Sequence, residues 1–168
     1  RRRGNLDGRV DVTTHALGDE VAEALVALAK IMADVEHPWW LIGSVAVALH
    51  GGDPGGIADI DVLLDPRDVS GMIERTGAVV RDKDESPLFR SETFTTWNAL
   101  SIPVEFMAGF HLFADGAWQP VCPATRIKVV IGGGVVFVPD RAELIAMLDA
   151  FGRRKDLRRA ATLARLAT

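Results

Sequence analysis

The clearest hydrophobic rhythm in the chain is helical. Val21, Leu25, Leu28 and Met32 recur at i, i+4, i+7 and i+11, which predicts an amphipathic helix over about residues 19–34, with Gly18 or Asp19 placed to cap it. After His37-Pro38 the run Trp39-Trp40-Leu41-Ile42 has the length of a strand and stops at Gly43-Ser44. Ser44 then precedes Val45-Ala46-Val47-Ala48-Leu49-His50, a short helix with a serine near its N-terminus. Glycines and a proline crowd residues 51–56, which must be loop. Ile60 to Leu64 forms the next strand, and Arg67 to Thr76 a helix with Gly77 just beyond its end. Val79-Val80 makes a short strand before a polar loop over 81–87.

The second half reads mainly as strands. Residues 88–97 are rich in Phe, Thr and Trp and predict one strand, joined through 98–101 to a second at Ile102 to Met107. Ile127 to Ile131, Gly132-Gly133-Gly134 and Val135 to Val138 read as a hairpin. Asp140 followed by Glu143 resembles a capping box, opening a helix that stacks Leu144, Met147, Leu148 and Phe151. Gly152 interrupts it, and Lys155 to Leu166 gives a last helix with Leu157, Ala161, Ala164 and Leu166 as its apolar positions. The expected class is α+β, a mixed sheet flanked by helices, with C-terminal helices over about 140–168. Residues 1–18 are expected to be a loose N-terminal segment and 19–168 a single domain.

Composition narrows the function classes. With 168 residues, 48% hydrophobic and 25% charged, the chain has the make-up of a soluble globular domain and not of a disordered one. No apolar run approaches the roughly 20 residues of a helical bilayer crossing. Cys122 is the single cysteine, which excludes an internal disulfide framework and a Cys-rich zinc site; it reads as a small buried hydrophobe. Arg1 to Arg3 lead into a polar segment, so there is no signal-peptide pattern and a cytoplasmic location is expected. The net charge of −4 is unevenly spread: residues 141–168 carry +4 and the remaining 140 carry −8. An acidic body can hold cations, and a basic element beside it can hold phosphates.

Candidate chemistry centres on Asp59-Ile60-Asp61. In a strand, residues i and i+2 share a face, so the two carboxylates project together while Ile60 and Val62 enter the core. Paired carboxylates repel, and a divalent cation resolves the conflict; Mg²⁺ typically uses one or two carboxylates plus substrate phosphates. With 15 Asp in 168 residues, chance gives about one Asp-x-Asp, so the spacing alone is a weak signal. A second copy, Asp82-Lys83-Asp84, reads as a solvated turn. Gly43-Ser44 stands at a strand-to-helix junction, where backbone N–H groups and a hydroxyl suit a phosphate. Glu105 is a lone carboxylate within Ile102-Pro103-Val104-Glu105-Phe106-Met107, an expensive position unless it is paired, metal-bound or turned outward. His15, His37, His50 and His111 lack zinc-hydrolase spacing, and Gly132 to Gly134 lacks the features of a P-loop. Trp97, Trp118 and Phe94 are candidates for a substrate pocket, and Arg90 for a cleft-facing contact.

Taken in order, these segments resemble the nucleotidyltransferase superfamily typified by DNA polymerase beta. The matching text is Trp39 to Gly51, then Ala58-Asp59-Ile60-Asp61-Val62-Leu63-Leu64, then Val104-Glu105-Phe106, then Gly152-Arg153-Arg154-Lys155-Asp156-Leu157. The likeness is nearest to small bacterial members: minimal nucleotidyltransferases, lincosamide- and aminoglycoside-modifying enzymes, and AbiEii-type toxins. It implies a nucleotidyltransferase-like mixed sheet and a cytoplasmic enzyme moving an NMP from an NTP to a hydroxyl. In that scheme Asp59, Asp61 and Glu105 are the catalytic and metal-binding residues, holding two Mg²⁺ ions, with Glu105 also the base. Gly43, Ser44, Arg153 and Lys155 would bind the triphosphate. The acceptor, whether small molecule, RNA or protein, would be recognised by residues 81–120, a dimer mate or a partner protein. Alternatives are a non-catalytic nucleotide-binding or toxin–antitoxin-type module on the same fold, and a metal-dependent phosphoesterase. The chain departs from the family pattern in three places. Fourteen residues separate Ser44 from Asp59, the third acid is Glu where Asp is commoner, and Gly55-Gly56-Ile57-Ala58 replaces the Arg or Thr usual before the Asp pair.

Overall fold

A computed structural model describes residues 9–11, 17–82 and 86–167 of the chain. Most of the expected loose start and Lys83-Asp84 of the second Asp-x-Asp therefore lie outside the described residues. Residues Arg9–Asp11 form a strand, β1.

Helix α1 (Asp19–Met32) buries the stripe that its spacing predicts: Val21, Leu25, Leu28 and Met32 are all within the core. Acids in its first turn and Lys30 in its last oppose the helix dipole. Strand β2 (Trp40–Ile42) passes directly into α2 (Gly43–Leu49), whose last six residues are all buried. Strand β3 (Ile60–Leu64) follows the glycine-rich loop. A 3₁₀ turn at Pro66–Asp68 leads into α3 (Val69–Thr76), and β4 (Val79–Val80) comes after it. With β6 (Thr93–Trp97) and β7 (Val104–Ala108) these strands build a five-stranded sheet in the order β2-β3-β7-β6-β4. Strands β3 and β7 are parallel and the other pairs antiparallel.

Alternation along β3 and β7 sorts the side chains onto two faces. Ile60, Val62, Leu64, Val104, Phe106 and Ala108 enter the main core with α1 and α2. Leu63 and Met107 emerge on the other face and join Ile42, Phe110, Leu112 and Phe151 in a smaller apolar cluster. The remaining strands form two three-stranded sheets. One is β5 (Phe89–Arg90), β8 (His111–Ala114) and β9 (Ala117–Pro120); the other is β1, β10 (Ile127–Ile131) and β11 (Gly134–Val138). Helices α4 (Arg141–Phe151) and α5 (Arg154–Ala164) close the chain, separated by Gly152 in the left-handed conformation. The class is α+β, as the sequence predicts. Among the described residues, no helix is long and apolar enough to cross a membrane.

Several expectations change. The single strand expected over 88–97 is two, β5 and β6, in different sheets. Beyond β7 the chain turns at Gly109 (φ 61°), whose backbone passes so close to Glu92 that a Cβ there would lie 2.6 Å from its side chain. The Glu92 N–H reaches the Ala108 and Gly109 carbonyls, and β5 pairs with β8 instead of extending β6. Periodicity missed the short strand β1 and the β8–β9 hairpin. Asp115 and Gly116 at its tip both have positive φ, 53° and 77°, the pattern of a tight hairpin turn that Asp-Gly favours.

In α5 the buried positions are Asp156, Ala160 and Leu163, while Leu157 is 47% exposed. The helix carries two stripes at helical spacing, and the buried one packs so close to Gly52 that a Cβ there would lie 2.8 Å from Leu163. Cys122, expected to be buried, is exposed in the segment after β9. Glu143 does not complete a capping box. Asp140 accepts from the Glu143 N–H at 2.7 Å, but the Glu143 carboxylate accepts from the Ala124 and Thr125 N–H groups instead.

Candidate active site

The strand register assembles the acidic cluster. Ile42 of β2 lies opposite Asp61 of β3, Asp61 beside Glu105 of β7, and Glu105 opposite Thr96 of β6, so one row crosses four strands. Parallel neighbours in register point their side chains to one face, and Asp59 precedes Asp61 by two residues. Carboxylate oxygens of Asp59, Asp61 and Glu105 therefore lie within 4.8 Å of one another. The sequence places these acids on separate segments; the parallel β3–β7 pairing joins them.

Electrostatics at this point is unfavourable for three bare charges. The Asp61 carboxyl is pushed well above its usual range, first by burial, then by the charges of Asp59 and Glu105 and a hydrogen bond with Glu105. Lys155 of α5 acts in the opposite direction. An oxygen-only donor set of crowded carboxylates with a raised pKa fits a hard divalent cation, which would favour the deprotonated forms.

Gly43 is required by this geometry. It has φ 68°, and a Cβ on it would stand 2.7 Å from Asp61 Oδ2. Any side chain there would meet both backbone strain and the carboxylate. Ser44 follows, buried in the first turn of α2.

These residues line a cavity of about 390 Å³. Its apolar wall comes from the smaller cluster, including Met107, Phe110 and Phe151, together with Phe89 and Phe94. Its cationic wall comes from α5 and the turn before it: Arg153, Lys155 and Arg159. Arg153 is held in place, donating to both oxygens of buried Asp156 at 2.6 and 3.0 Å and lying 4.8 Å from the centre of the Phe89 ring. Arg159 donates to the Pro54 carbonyl, tying α5 to the glycine-rich loop that precedes β3. Every residue that the sequence singles out for metal or phosphate thus lines this one cavity: Gly43, Ser44, Asp59, Asp61, Glu105, Arg153 and Lys155.

Arg159 is an addition that the sequence did not single out; Asp156, part of the Gly152 to Leu157 segment that carries the resemblance, is the buried anchor of Arg153. The charge asymmetry of the last 28 residues pointed to the helix without resolving which side chains face inward. Of the aromatic candidates, Phe94 lines the cavity and Trp97 lies in the main core; Trp118 stands behind Arg90, which also lines the cavity.

No protein-family model and no curated protein matches the sequence. Solved structures do match in fold. A candidate nucleotidyltransferase, TM1012 from Thermotoga maritima, aligns over 77% of this chain and 84% of its own, with a TM-score of 0.63 and 20% identity. The lincosamide antibiotic adenylyltransferase LnuA in its lincomycin-bound form covers 86% and 97%, with a TM-score of 0.59 and 9% identity. The antibiotic-resistance factor ANT(2'')-Ia covers 86% and 81%, with a TM-score of 0.53 and 14% identity. At such identities the likeness concerns the backbone architecture. The chain has the nucleotidyltransferase fold, and the resemblance seen in its sequence segments holds in three dimensions.

Proposed function

We propose that this protein is a Mg²⁺-dependent nucleotidyltransferase that moves an NMP from an NTP to a hydroxyl acceptor. The observation that carries the reading is the convergence of Asp59, Asp61 and Glu105 within 4.8 Å, facing a cationic helix across one cavity. The shared fold supports it.

The residues divide the work by charge. Asp59, Asp61 and Glu105 would hold two Mg²⁺ ions, which supply charge neutralisation at the entering and leaving oxygens. Ser44 and the backbone of Gly43 would bind the outer phosphates, and Lys155 would add positive charge from the opposite wall. Arg153, fixed by Asp156, would do so at lower cost in side-chain entropy than a free arginine. The acceptor oxygen forms its bond to the α-phosphorus as the bond to the bridging oxygen breaks and pyrophosphate departs. The hydroxyl proton passes to Glu105, one methylene longer than the commoner aspartate. The protein's contribution is positioning and electrostatics, as in phosphoryl transfer generally.

The test is incubation with α-labelled NTPs, Mg²⁺ and a pool of hydroxyl acceptors. Label should pass to an acceptor in the wild type, and the Asp59→Asn and Asp61→Asn variants should lose at least about 10³-fold of that rate while keeping a native circular dichroism spectrum. Undiminished transfer in Asp61→Asn ends the proposal. Mg²⁺-tightened NTP binding without any transfer would turn it into a binding module.

A further inference from the structure

The reaction proposed for the cavity uses its acidic and cationic walls and leaves the apolar wall without a task. The strand register fixes where that wall stands. Ile42 of β2, Asp61 of β3, Glu105 of β7 and Thr96 of β6 form one row across the sheet; the next row on the same face is Trp40, Leu63, Met107 and Phe94. Met107 is therefore two residues along the strand from Glu105, and Phe94 is opposite Met107 on the strand beyond. Both line the cavity. Gly43 and Ser44 follow Ile42, so they stand at the far end of the acidic row from β6.

Phe94 differs from the aromatic side chains near it. Phe89, Phe110 and Phe151 pair their rings with one another, at centre-to-centre distances of 5.3, 4.9 and 6.1 Å. Phe94 belongs to no ring pair among the described residues. It is only half-buried although β6 is an inner strand, whereas Thr95, on the other face of that strand, is buried. A cavity-lining ring in this state can bury further apolar area against a ligand.

In-line displacement sets the direction from which an acceptor comes. Its oxygen bonds to the α-phosphorus, its proton passes to Glu105, and pyrophosphate leaves on the far side of the phosphorus. With the outer phosphates at Gly43 and Ser44, the hydroxyl arrives from the opposite direction, past Glu105 on the β6 side. The lining side chains next to Glu105 there are Met107 and Phe94. Neighbouring strands are about 4.8 Å apart and two residues along a strand about 6.7 Å, so a group one or two rings in size reaches from Glu105 to Phe94. Beyond the three acids, Asp156 is the other carboxylate among the described lining residues, and Arg153 donates to both of its oxygens. None of these described residues is left to replace the water around an ammonium group.

We infer that Phe94 and Met107 form the acceptor subsite of this cavity, which takes a hydroxyl compound carrying an uncharged, apolar ring beside the reacting hydroxyl. The inference rests on the nucleotidyl-transfer reading of the same cavity and adds the class of acceptor to it. Phe94 and Met107 set specificity and take no part in the chemistry.

The experiment is fluorescence anisotropy of 4-methylumbelliferyl β-D-glucoside, a neutral double ring joined to a hydroxyl-bearing sugar, with Mg²⁺ and a non-hydrolysable NTP analogue present. The probe should bind, and phenyl β-D-glucoside should displace it at least about tenfold better than methyl β-D-glucoside, which has the same hydroxyls and no ring. Phe94→Ala should weaken the probe about tenfold or more. Phe94→Leu, the safer change for folding, keeps an apolar side chain without the ring face and should weaken it about three- to fivefold. Both variants should keep their affinity for the NTP analogue within about twofold, which also shows that they fold. Phe113→Ala removes an exposed ring outside the cavity lining and should leave probe affinity within about twofold of wild type. Wild-type probe affinity in both Phe94 variants, or equal displacement by the two glucosides, overturns the assignment. Displacement by tobramycin, a polycation, or by a short oligoadenylate does so too, as does a loss in Phe113→Ala equal to that in Phe94→Ala. If Phe94→Ala loses NTP affinity as much as probe affinity, the ring serves the nucleobase and the assignment falls. If wild-type NTP binding shows no Mg²⁺ dependence, the nucleotidyl-transfer reading fails instead. If that dependence is present and the probe does not bind, the acceptor assignment alone fails.

Discussion

Among the described residues, two trios of metal-ligand-type side chains occur, each with its donor atoms within 4.8 Å: Asp59, Asp61 and Glu105 at one end of the central sheet, and Glu36, His37 and Asp68 at the start of α3. Their surroundings are opposite. Asp68 is buried but well supplied with donors, accepting from the Glu36 N–H at 3.4 Å, the His37 N–H at 3.1 Å and His37 Nδ1 at 3.1 Å. It joins the chain before β2 to the start of α3, which is a structural task. The first trio brings three acids together and raises the pKa of Asp61, with Lys155 the counterweight across a cavity. Proximity of ligand atoms is common to both. What separates them is whether the charge is already compensated by the protein's own donors.

Function should divide along the same line. Asp61→Asn should reduce nucleotidyl transfer by at least about 10³-fold. Asp68→Asn should leave the rate within about twofold of wild type, because Asp68 touches nothing in the cavity. Equal losses in the two variants, measured by label transfer at saturating Mg²⁺, would erase the distinction. A subtler perturbation is Gly43→Ala. The added methyl group would meet Asp61 Oδ2 at 2.7 Å, so the carboxylate must shift. A drop of about 10²-fold in rate is expected, from misplacement of the order of an ångström. A wild-type rate in Gly43→Ala would show that the position of Asp61 is not critical.

The second trio should report in stability. Asp68→Ala leaves two backbone N–H groups and the His37 ring without their acceptor, at a cost of about 1–3 kcal/mol in urea unfolding. Mg²⁺ should still raise the melting temperature of Asp68→Ala, and should not raise that of Asp61→Asn. The reverse pattern would move the metal site to α3.

The sequence made one trio legible and not the other, for identifiable reasons. Asp59 and Asp61 stand out because two acids share the face of a strand whose other face, Ile60 and Val62, is fully buried. Glu105 was visible as an acid in an apolar run. That it would lie beside Asp61 depends on parallel pairing of strands some forty residues apart, which no local pattern encodes. Asp68 gives no such signal. Its partners come from the loop before β2, and it reads as an ordinary acid at a helix start. The β8–β9 hairpin was missed although Asp115-Gly116 announces it, because its flanking strands alternate weakly. The α5 stripe went to the wrong face because Leu157 and Leu163 are equally good on periodicity. Leu163 is the one that packs inward, against Gly52, a contact remote in sequence.

The smallest expected effect tests the electrostatic half of the comparison in metal-free protein. Asp61 has a folded-state pKa raised above its ordinary value of 3.8, by burial first and by Asp59 and Glu105 next. Between that ordinary value and the raised one, the folded chain retains a proton that the unfolded chain has released. Folded stability therefore falls as pH rises through this window, and is flat again above it. Through the hydrogen bond between Asp61 and Glu105 the retained proton belongs to the pair, so removing either charge should relieve the penalty. In EDTA, Asp61→Asn should melt close to wild type near pH 4 and progressively above it toward pH 8, by about a few degrees. Subtracting the two melting curves at each pH cancels the titration of all the other carboxylates. Asp68→Asn should give the opposite sign, less stable than wild type, since the carboxylate is the acceptor its neighbours need. Parallel curves for Asp61→Asn and wild type would mean that the first trio is compensated within the protein as fully as the second, leaving no electrostatic reason for it to hold a cation.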